Sequence, residues 1–207
     1  ARRWGSASTA GRTKARFRSS DRTVEREGEV KGYALLSYVA PLRREKGALW
    51  AEVEQRLEGD SREFYQREIF ANNWYPRRHL HALMRAYCDA IGPRTQELRD
   101  LGAMAARYQL TVIYRLFLKF ATPAMVFGRA SSVWSRQSTV GSFRVLSSDA
   151  DHLVGELEDP DLPEGIPELM CGWSDTIIAM LGRTPYPTRW EQITPRRWRF
   201  RVSWVAG

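Results

Sequence analysis

The chain has 207 residues, of which 43% are hydrophobic and 27% charged, proportions typical of a soluble globular protein with a core of its own. No run of about 18 apolar residues occurs, so no membrane-spanning helix is predicted. The two cysteines favour buried thiols in the reducing cytoplasm over a disulfide framework. The formal net charge is +8, of which residues 1–20 supply six positive charges, which leaves +2 (8 − 6) for the rest.

Residues 1–28 are rich in Arg, Ser, Thr and Gly and hold few large apolar side chains. Such a segment cannot bury enough apolar surface to offset the entropy lost on ordering, so we predict a flexible basic arm. Four of its cations form a candidate surface for nucleic acid or an acidic partner: Arg12, Lys14, Arg16 and Arg18. An unstructured tail without a role is the simpler interpretation. One ordered domain, residues 29–207, is predicted to follow.

Apolar side chains recur at three- and four-residue steps through most of residues 34–136, which predicts a block of helices. Pro41 is expected to interrupt or bend the first helix, and Ser61 to cap the third. A turn is predicted at 72–76. The predicted helical ranges are 34–39, 48–57, 62–70, 80–92, 95–108, 110–121 and 123–136.

The stretch from Leu110 to Arg136 is the longest apolar, aromatic-rich segment, and we expect the other helices to pack on it. Its first helix should end near Ala121, because Pro123 cannot continue a regular helix. Thr122 then fits the N-cap of a second helix that has Pro123 at its first position.

Beyond Arg136 the pattern changes to short strands. Residues 143–146 and 152–157 are predicted to form a hairpin, followed by a helix over 169–181 and a strand over 189–193. The last strand is the clearest, since apolar and basic residues alternate along it: Trp198, Phe200, Val202 and Trp204 against Arg197, Arg199, Arg201 and Ser203. A helical block followed by strand–strand–helix–strand–strand predicts an α+β domain with its helices packed on a small antiparallel sheet.

The chain resembles one superfamily in four features. They are the opening Lys31-Gly32, the Gly47 and Trp50 after the first helix, the Tyr75-Pro76 helix start and the late four-strand order. This superfamily contains the haem nitric-oxide-binding domains, the 4-vinyl reductase domains and the Bet3-like transport-complex subunits. Over about residues 30–205, further runs resemble more closely a family of myxobacterial paralogues of this length and of unassigned function: Trp74-Tyr75-Pro76, Tyr114 to Leu118, Trp134, and Phe200 to Trp204. The resemblance implies a ligand-sensing or docking fold that self-associates.

The haem-binding members use a histidine on the helix before the sheet as the axial iron ligand, and a Tyr-x-Ser-x-Arg run to hold the haem propionates. Here the corresponding helix, about Pro123 to Arg136, contains no histidine, and Phe143 to Leu157 contains no such run. The cysteines of the 4-vinyl reductase type are missing from Trp190 to Trp204. We therefore expect no b-type haem and no other cofactor.

The ligand site that the resemblance implies is an apolar cavity between the helices and the sheet. Its candidate residues are Trp74, Tyr75, Tyr114, Arg115, Trp134 and Trp173. Core packing is the simpler interpretation of the tryptophans. Arg115 is the candidate to meet an anionic ligand, and its alternative is a buried ion pair with Asp100 or Glu97.

The basic side of the last hairpin is a second candidate surface, with five arginines: Arg189, Arg196, Arg197, Arg199 and Arg201. These arginines would bind phosphates, or would meet the acidic stretch from Glu156 to Glu168 of the same or a second subunit. A solvated face that prevents edge-to-edge association is the simpler interpretation.

No catalytic or metal-binding residue is predicted. His79 and His81, two apart on a helix, face different sides and cannot chelate one metal, so local surface roles are expected. His152 is expected to be solvated in a turn. Cys88 and Cys171 have no neighbouring histidine and fit buried packing thiols.

Two functional hypotheses follow. The first is a non-enzymatic sensory or interaction domain that binds a small apolar ligand or a protein partner on a haem-less version of this fold. The second is a nucleic-acid-associated protein that uses the basic arm and the arginine-rich C-terminal hairpin. An enzyme would need an arranged acid–base pair in a cleft, and the sequence indicates none.

Overall fold

The computed structural model describes residues 27–110 and 121–205, in which helices pack on one face of an antiparallel sheet. The predicted α+β class is confirmed. Most of the helix predicted over 110–121 lies outside the described residues, and so does the basic arm up to residue 26. The domain boundary at residue 28 therefore stays a prediction.

The helices begin and end close to most predicted boundaries. In chain order they are α1 Gly32–Glu45, α2 Gly47–Arg56, α3 Gly59–Gln66, α4 Arg78–Ile91, α5 Thr95–Gln109, α6 Pro123–Phe127, α7 Ala130–Gln137 and α8 Ile166–Met180. Thr122 caps α6 as predicted, because its hydroxyl accepts the backbone N–H of Met125 at 3.3 Å. The single helix expected over 123–136 is divided at Gly128 and Arg129 into α6 and α7.

The strands form two antiparallel sheets. A small one pairs β1 Glu29–Lys31 with β2 Trp74–Pro76, and a larger one has the order β3-β4-β6-β5. The larger sheet contains β3 Ser142–Ser148, β4 His152–Glu158, β5 Pro185–Thr194 and β6 Arg197–Trp204. The alternation predicted for the last strand is confirmed, since its apolar residues face the helices and are at most 7% exposed: Trp198, Phe200, Val202 and Trp204.

Three local predictions differ from the structure. Pro41 does not interrupt α1, which continues to Glu45. Val39 and Leu42 on either side of Pro41 are fully buried, and this packing offsets the missing N–H. Ser61 lies inside α3, and its hydroxyl bonds to a buried histidine instead of capping the helix. Of the turn expected at 72–76, residues 72 and 73 belong to a turn, closed by a hydrogen bond from Asn73 N–H to the carbonyl of Phe70. Residues 74–76 instead form β2, whose pairing with β1 spans more than forty residues and leaves no local signal.

Helix α8 joins the helical block to the larger sheet, since it crosses α5 on one side and packs on β5 and β6 on the other. The crossing is close because two glycines face the opposite backbone. A Cβ at Gly102 would lie 1.9 Å from the carbonyl oxygen of Leu169, and one at Gly172 would lie 1.9 Å from that of Arg99. One apolar cluster fills the helical block, and two more lie where helices meet the larger sheet. No described helix is long and apolar enough to cross a membrane.

A buried ion pair joins the helical block to the sheet. The Arg77 guanidinium, beside the start of α4, donates two hydrogen bonds of 2.9 and 2.7 Å to the carboxylate of Asp159, which follows β4. Their side chains are 7% and 0% exposed. Backbone bonds extend the link, from Arg77 N–H to Gly28 and from Asp159 N–H to Arg196. The pair thus fixes β1, α4, β4 and the β5–β6 turn relative to one another.

We predict that Asp159→Asn lowers the free energy of unfolding by about 3–5 kcal/mol, because it leaves a buried guanidinium without its counter-charge. Urea denaturation at neutral pH measures this loss. Asp161→Asn is the matched control, since the Asp161 side chain is 81% exposed and an exposed ion pair contributes about 1 kcal/mol or less. Equal stability of the two variants would contradict the role given to the pair.

Candidate functional site

Two of the predicted pocket residues lie at the small sheet. Trp74 is 37% exposed, and the ammonium of Lys31 lies 4.4 Å from the centre of its ring. Tyr75 is half-buried, accepts the Phe70 N–H at 2.9 Å with its hydroxyl, and packs edge-on against Phe64. These contacts place Tyr75 against the core of the helical block.

Trp134 and Trp173 lie where the helices meet the larger sheet. The Trp134 indole donates to the carbonyl of Val140 at 3.1 Å, and the Trp173 indole donates to Oε1 of Gln109 at 2.9 Å. The two rings pack against neighbouring clusters that share Val145. The structure therefore brings these two near the same interface and leaves Trp74 and Tyr75 elsewhere.

The remaining pocket candidates, Tyr114 and Arg115, lie outside the described residues. The two acids proposed as alternative partners of Arg115 have contacts of their own. Glu97 is paired with Lys46 at 2.7 Å, and Asp100 accepts a hydrogen bond from Gln96. The proposed role of Arg115 stays a prediction.

His79 and His152 occupy different environments. The surface role expected for His79 is wrong, because it is 4% exposed, bonds through Nδ1 to the Ser61 hydroxyl at 2.9 Å and stacks on Phe64. Burial lowers its pKa, so the neutral imidazole is favoured. His152 is half-exposed at the start of β4, beside Asp149 and Asp151. Within residues 27–110 and 121–205, no group of three or more His, Cys, Asp or Glu residues could hold a metal ion.

Both cysteines are free thiols held by packing. Burial raises the pKa of Cys88 to about 11, and the nearby acids Glu164 and Asp89 add to this shift. Burial also raises the pKa of Cys171 to about 12, against the opposing effect of the Arg99 cation. Thiols with such pKa values stay protonated at neutral pH and are poor nucleophiles.

The outer side of the larger sheet carries five arginines, which we call the arginine face: Arg144, Arg189, Arg197, Arg199 and Arg201. Strand register arranges charged residues in rows across the sheet. One row alternates in sign, from Arg144 on β3 through Glu156 on β4 and Arg199 on β6 to Glu191 on β5. A second row places Glu158 opposite Arg197.

Glu156 is the acid on which these rows depend. It is 3% exposed and accepts hydrogen bonds from Arg144 and, at 3.3 Å, from Arg199, with Arg197 at 3.6 Å. Hydrogen bonding from Arg144 is the largest influence on its pKa; burial opposes it, and the net result is a lowered pKa. The sequence-based alternative in which the arginines meet the acidic stretch of their own chain is thus realised by Glu156 and Glu158.

A third row has no acid. Arg201 on β6 lies between Val154 on β4 and Arg189 on β5, so two exposed guanidinium groups face each other across neighbouring strands. No described carboxylate is paired with either. Like charges directly opposite in a sheet are destabilising, so this row would gain from an external anion.

Sequence reasoning missed an open cleft of about 630 Å³. Its walls come from three separate parts of the chain: the α4–α5 connection, the segment before α8, and the inner side of the β5–β6 hairpin. None of the four predicted pocket residues that the structure describes lines it: Trp74, Tyr75, Trp134 and Trp173. Because the three parts are distant in sequence, no local pattern indicates the cleft.

The whole arrangement of helices and sheet is similar to solved H-NOX structures, the haem nitric-oxide-binding domains named above. It matches the Fe(II) unliganded H-NOX protein from K. algicida with a TM-score of 0.61 and 12% identity, over 86% of this chain and 97% of that one. An oxygen-binding H-NOX domain related to soluble guanylate cyclases matches with a TM-score of 0.61 and 10% identity, over 84% and 94%. The fold is that of the H-NOX domains. No protein-family model and no curated protein matches the chain, and identities this low show the fold alone.

A b-type haem needs an axial ligand, and the residues that precede the larger sheet do not supply the expected one. Helices α6 and α7 contain no histidine. Their side chains at the sheet are instead Phe127, which is 3% exposed and meets Trp173 edge-on at 6.3 Å, and Trp134. These residues do not fit haem ligation of the H-NOX type.

We predict that Glu156→Gln lowers stability at neutral pH and weakens its dependence on acid. Because the folded pKa of Glu156 lies below its ordinary value of about 4.3, its contribution is complete above that value and is lost as pH falls through the folded pKa. The difference in unfolding free energy between wild type and variant should therefore shrink as the pH is lowered from 7 through 5 to 3. Glu191→Gln, at an exposed end of the same row, is the control. If the difference in stability between wild type and Glu156→Gln did not shrink with acid, the role given to the Glu156 carboxylate would be contradicted.

Proposed function

We propose that this chain is a non-enzymatic interaction domain that uses the H-NOX fold without b-type haem and docks an acidic protein segment on its arginine face. The observation that carries the proposal is the uncompensated pair of Arg189 and Arg201. The similarity to an oxygen-binding H-NOX domain supports a sensory role for the fold. The two free cysteines suit a reducing cytoplasm.

Three features support a role without haem. Phe127 and Trp134 occupy the helices that precede the sheet, where the haem-binding members carry a histidine. The interface between helices and sheet holds two packed apolar clusters. The β3–β4 hairpin lacks the Tyr-x-Ser-x-Arg run.

The neighbours of the uncompensated pair indicate what kind of anion fits. Val154 lies beside Arg201 and is half-buried, and Tyr186 lies one row further along β5 and is 57% exposed. A protein segment that combines carboxylates with apolar side chains would satisfy both guanidinium groups and cover this apolar surface. Docking on the inner clusters would instead require displacing packed aromatic rings.

The described residues offer no accessible nucleophile paired with a histidine. Ser61 and His79 form a serine–histidine contact, but they are 3% and 4% exposed, so a substrate cannot reach the hydroxyl. The protonated cysteines are equally unsuited to nucleophilic attack.

Nucleic acid is the second candidate, because the same guanidinium pair would also bind phosphates. The two candidates differ in what else the ligand must supply. Binding through backbone phosphates would weaken steeply as salt is added, and phosphates would make no apolar contact with Val154 and Tyr186. A second copy of the chain is a further source of an acidic segment, and sedimentation velocity at the concentration of the binding assay identifies it.

We predict that Arg189→Glu/Arg201→Glu weakens binding of a fluorescein-labelled peptide that alternates Glu with Leu by about tenfold or more, measured by fluorescence anisotropy. The control is Arg107→Glu/Arg136→Glu, which makes the same charge change at exposed positions outside the sheet. The Arg201→Glu variant alone should stay folded, because it replaces a like-charge cross-strand pair by an opposite-charge one.

Equal weakening by both double variants would overturn docking at this face. Tighter binding of a labelled DNA duplex than of the peptide, with a steep salt dependence that Arg189→Glu/Arg201→Glu removes, would replace the acidic partner by nucleic acid.

A further inference from the structure

The open cleft has the volume of a small-molecule site. Its volume of about 630 Å³ lies within the usual range for such sites. Its helical wall includes Leu98 and Pro93, and its loop wall includes Leu162 and Pro163, so both walls are largely apolar. The cleft lies on the inner side of β5, whereas the arginine face lies on the outer side, so the two surfaces are independent.

Two indole rings form the sheet wall of the cleft. Trp190 on β5 is 37% exposed, and Trp198 on β6 is 7% exposed. The Trp190 ring is held in place because its N–H donates to Oε1 of Glu168 at 2.9 Å. Glu168 is fixed in turn by Arg99, whose Nε lies 2.8 Å from its other oxygen. A pre-oriented, partly exposed indole attracts cations through its negative face.

The charges that line the cleft have one sign. Asp89, Glu164 and Glu168 contribute carboxylates, and no Lys, Arg or His residue is among the lining residues. Asp89 and Glu164 are exposed at the mouth and have no ion-pair partner among residues 27–110 and 121–205. Both acids also help to raise the pKa of the Cys88 thiol in the wall, which is the effect expected of an electronegative cleft.

The start of α8 also faces the cleft, but it offers little to an anion. The N–H of Ile166 is bonded to the carbonyl of Pro163 at 3.3 Å, and Pro167 has no N–H to donate. Glu168 already places a carboxylate in the first turn of this helix. Groups of the protein itself therefore satisfy the N-terminus of α8, which leaves little affinity there for an external anion.

We infer that the cleft binds a small organic cation with an apolar body, such as an arylalkyl ammonium or guanidinium compound. The apolar body packs against Trp190 and Leu98, and the cation lies between the indole face and the carboxylates of Asp89 and Glu164. The inference does not depend on the proposed docking function, because it uses a different side of the sheet.

The test uses the full chain and three probes of similar shape: 2-phenylethylammonium, 3-phenylpropionate and 2-phenylethanol. Indole N–H signals in a ¹H–¹⁵N NMR titration report binding, and Trp190→Phe assigns the signal of Trp190. The ammonium should shift the Trp190 signal, and Asp89→Asn/Glu164→Gln should weaken its affinity about tenfold. Glu58→Gln/Glu68→Gln is the matched control, since both acids are exposed and lie outside the cleft.

Unchanged affinity in Asp89→Asn/Glu164→Gln would overturn the inference. Equally tight binding of 3-phenylpropionate and 2-phenylethylammonium would overturn it too, because the carboxylates would then not favour a cation over an anion. An unmoved Trp190 signal at saturating ammonium would show that the cleft is not the site. Because all four replaced acids are exposed, loss of folding does not imitate any of these results.

Discussion

The buried pair of Arg77 and Asp159 is the constraint on which the rest of the structure depends. It is the point where the helical block, the small sheet and the end of β4 meet, and both side chains are almost fully withdrawn from water. A guanidinium and a carboxylate in such a place are tolerated only when each satisfies the other with good geometry. The segment that leaves Asp159 goes on to form one wall of the cleft, so the same pair positions both candidate surfaces.

Charge on the sheet follows from strand register rather than from net charge. Two rows set arginines against Glu156, Glu158 and Glu191, and their mutual attraction stabilises the folded sheet locally. The third row interrupts this pattern at Arg189 and Arg201. A destabilising contact retained beside compensated ones is the expected signature of a surface that serves binding rather than folding.

Sequence reasoning succeeded where the signal was local. The alternation along β6 and the Thr122-Pro123 helix start both follow from neighbouring residues, and the structure has them as predicted. It failed where a distant partner decides. His79 is buried because α3 supplies Ser61 and Phe64, and β2 forms only because β1 is there to pair with it. The alternating charge rows and the three-part wall of the cleft are likewise set by register and packing between distant segments, which no local periodicity encodes.

We propose that the H-NOX fold of this chain serves recognition without haem. Native mass spectrometry of the protein after incubation with equimolar haemin, with an absorption spectrum of the same sample, tests it most directly. We expect a protein mass without bound haem and an absorption spectrum that equals the sum of the spectra of free haemin and protein. A one-to-one complex with a shifted, sharpened Soret band would contradict it, because some residue would then have to supply the axial ligand that α6 and α7 lack.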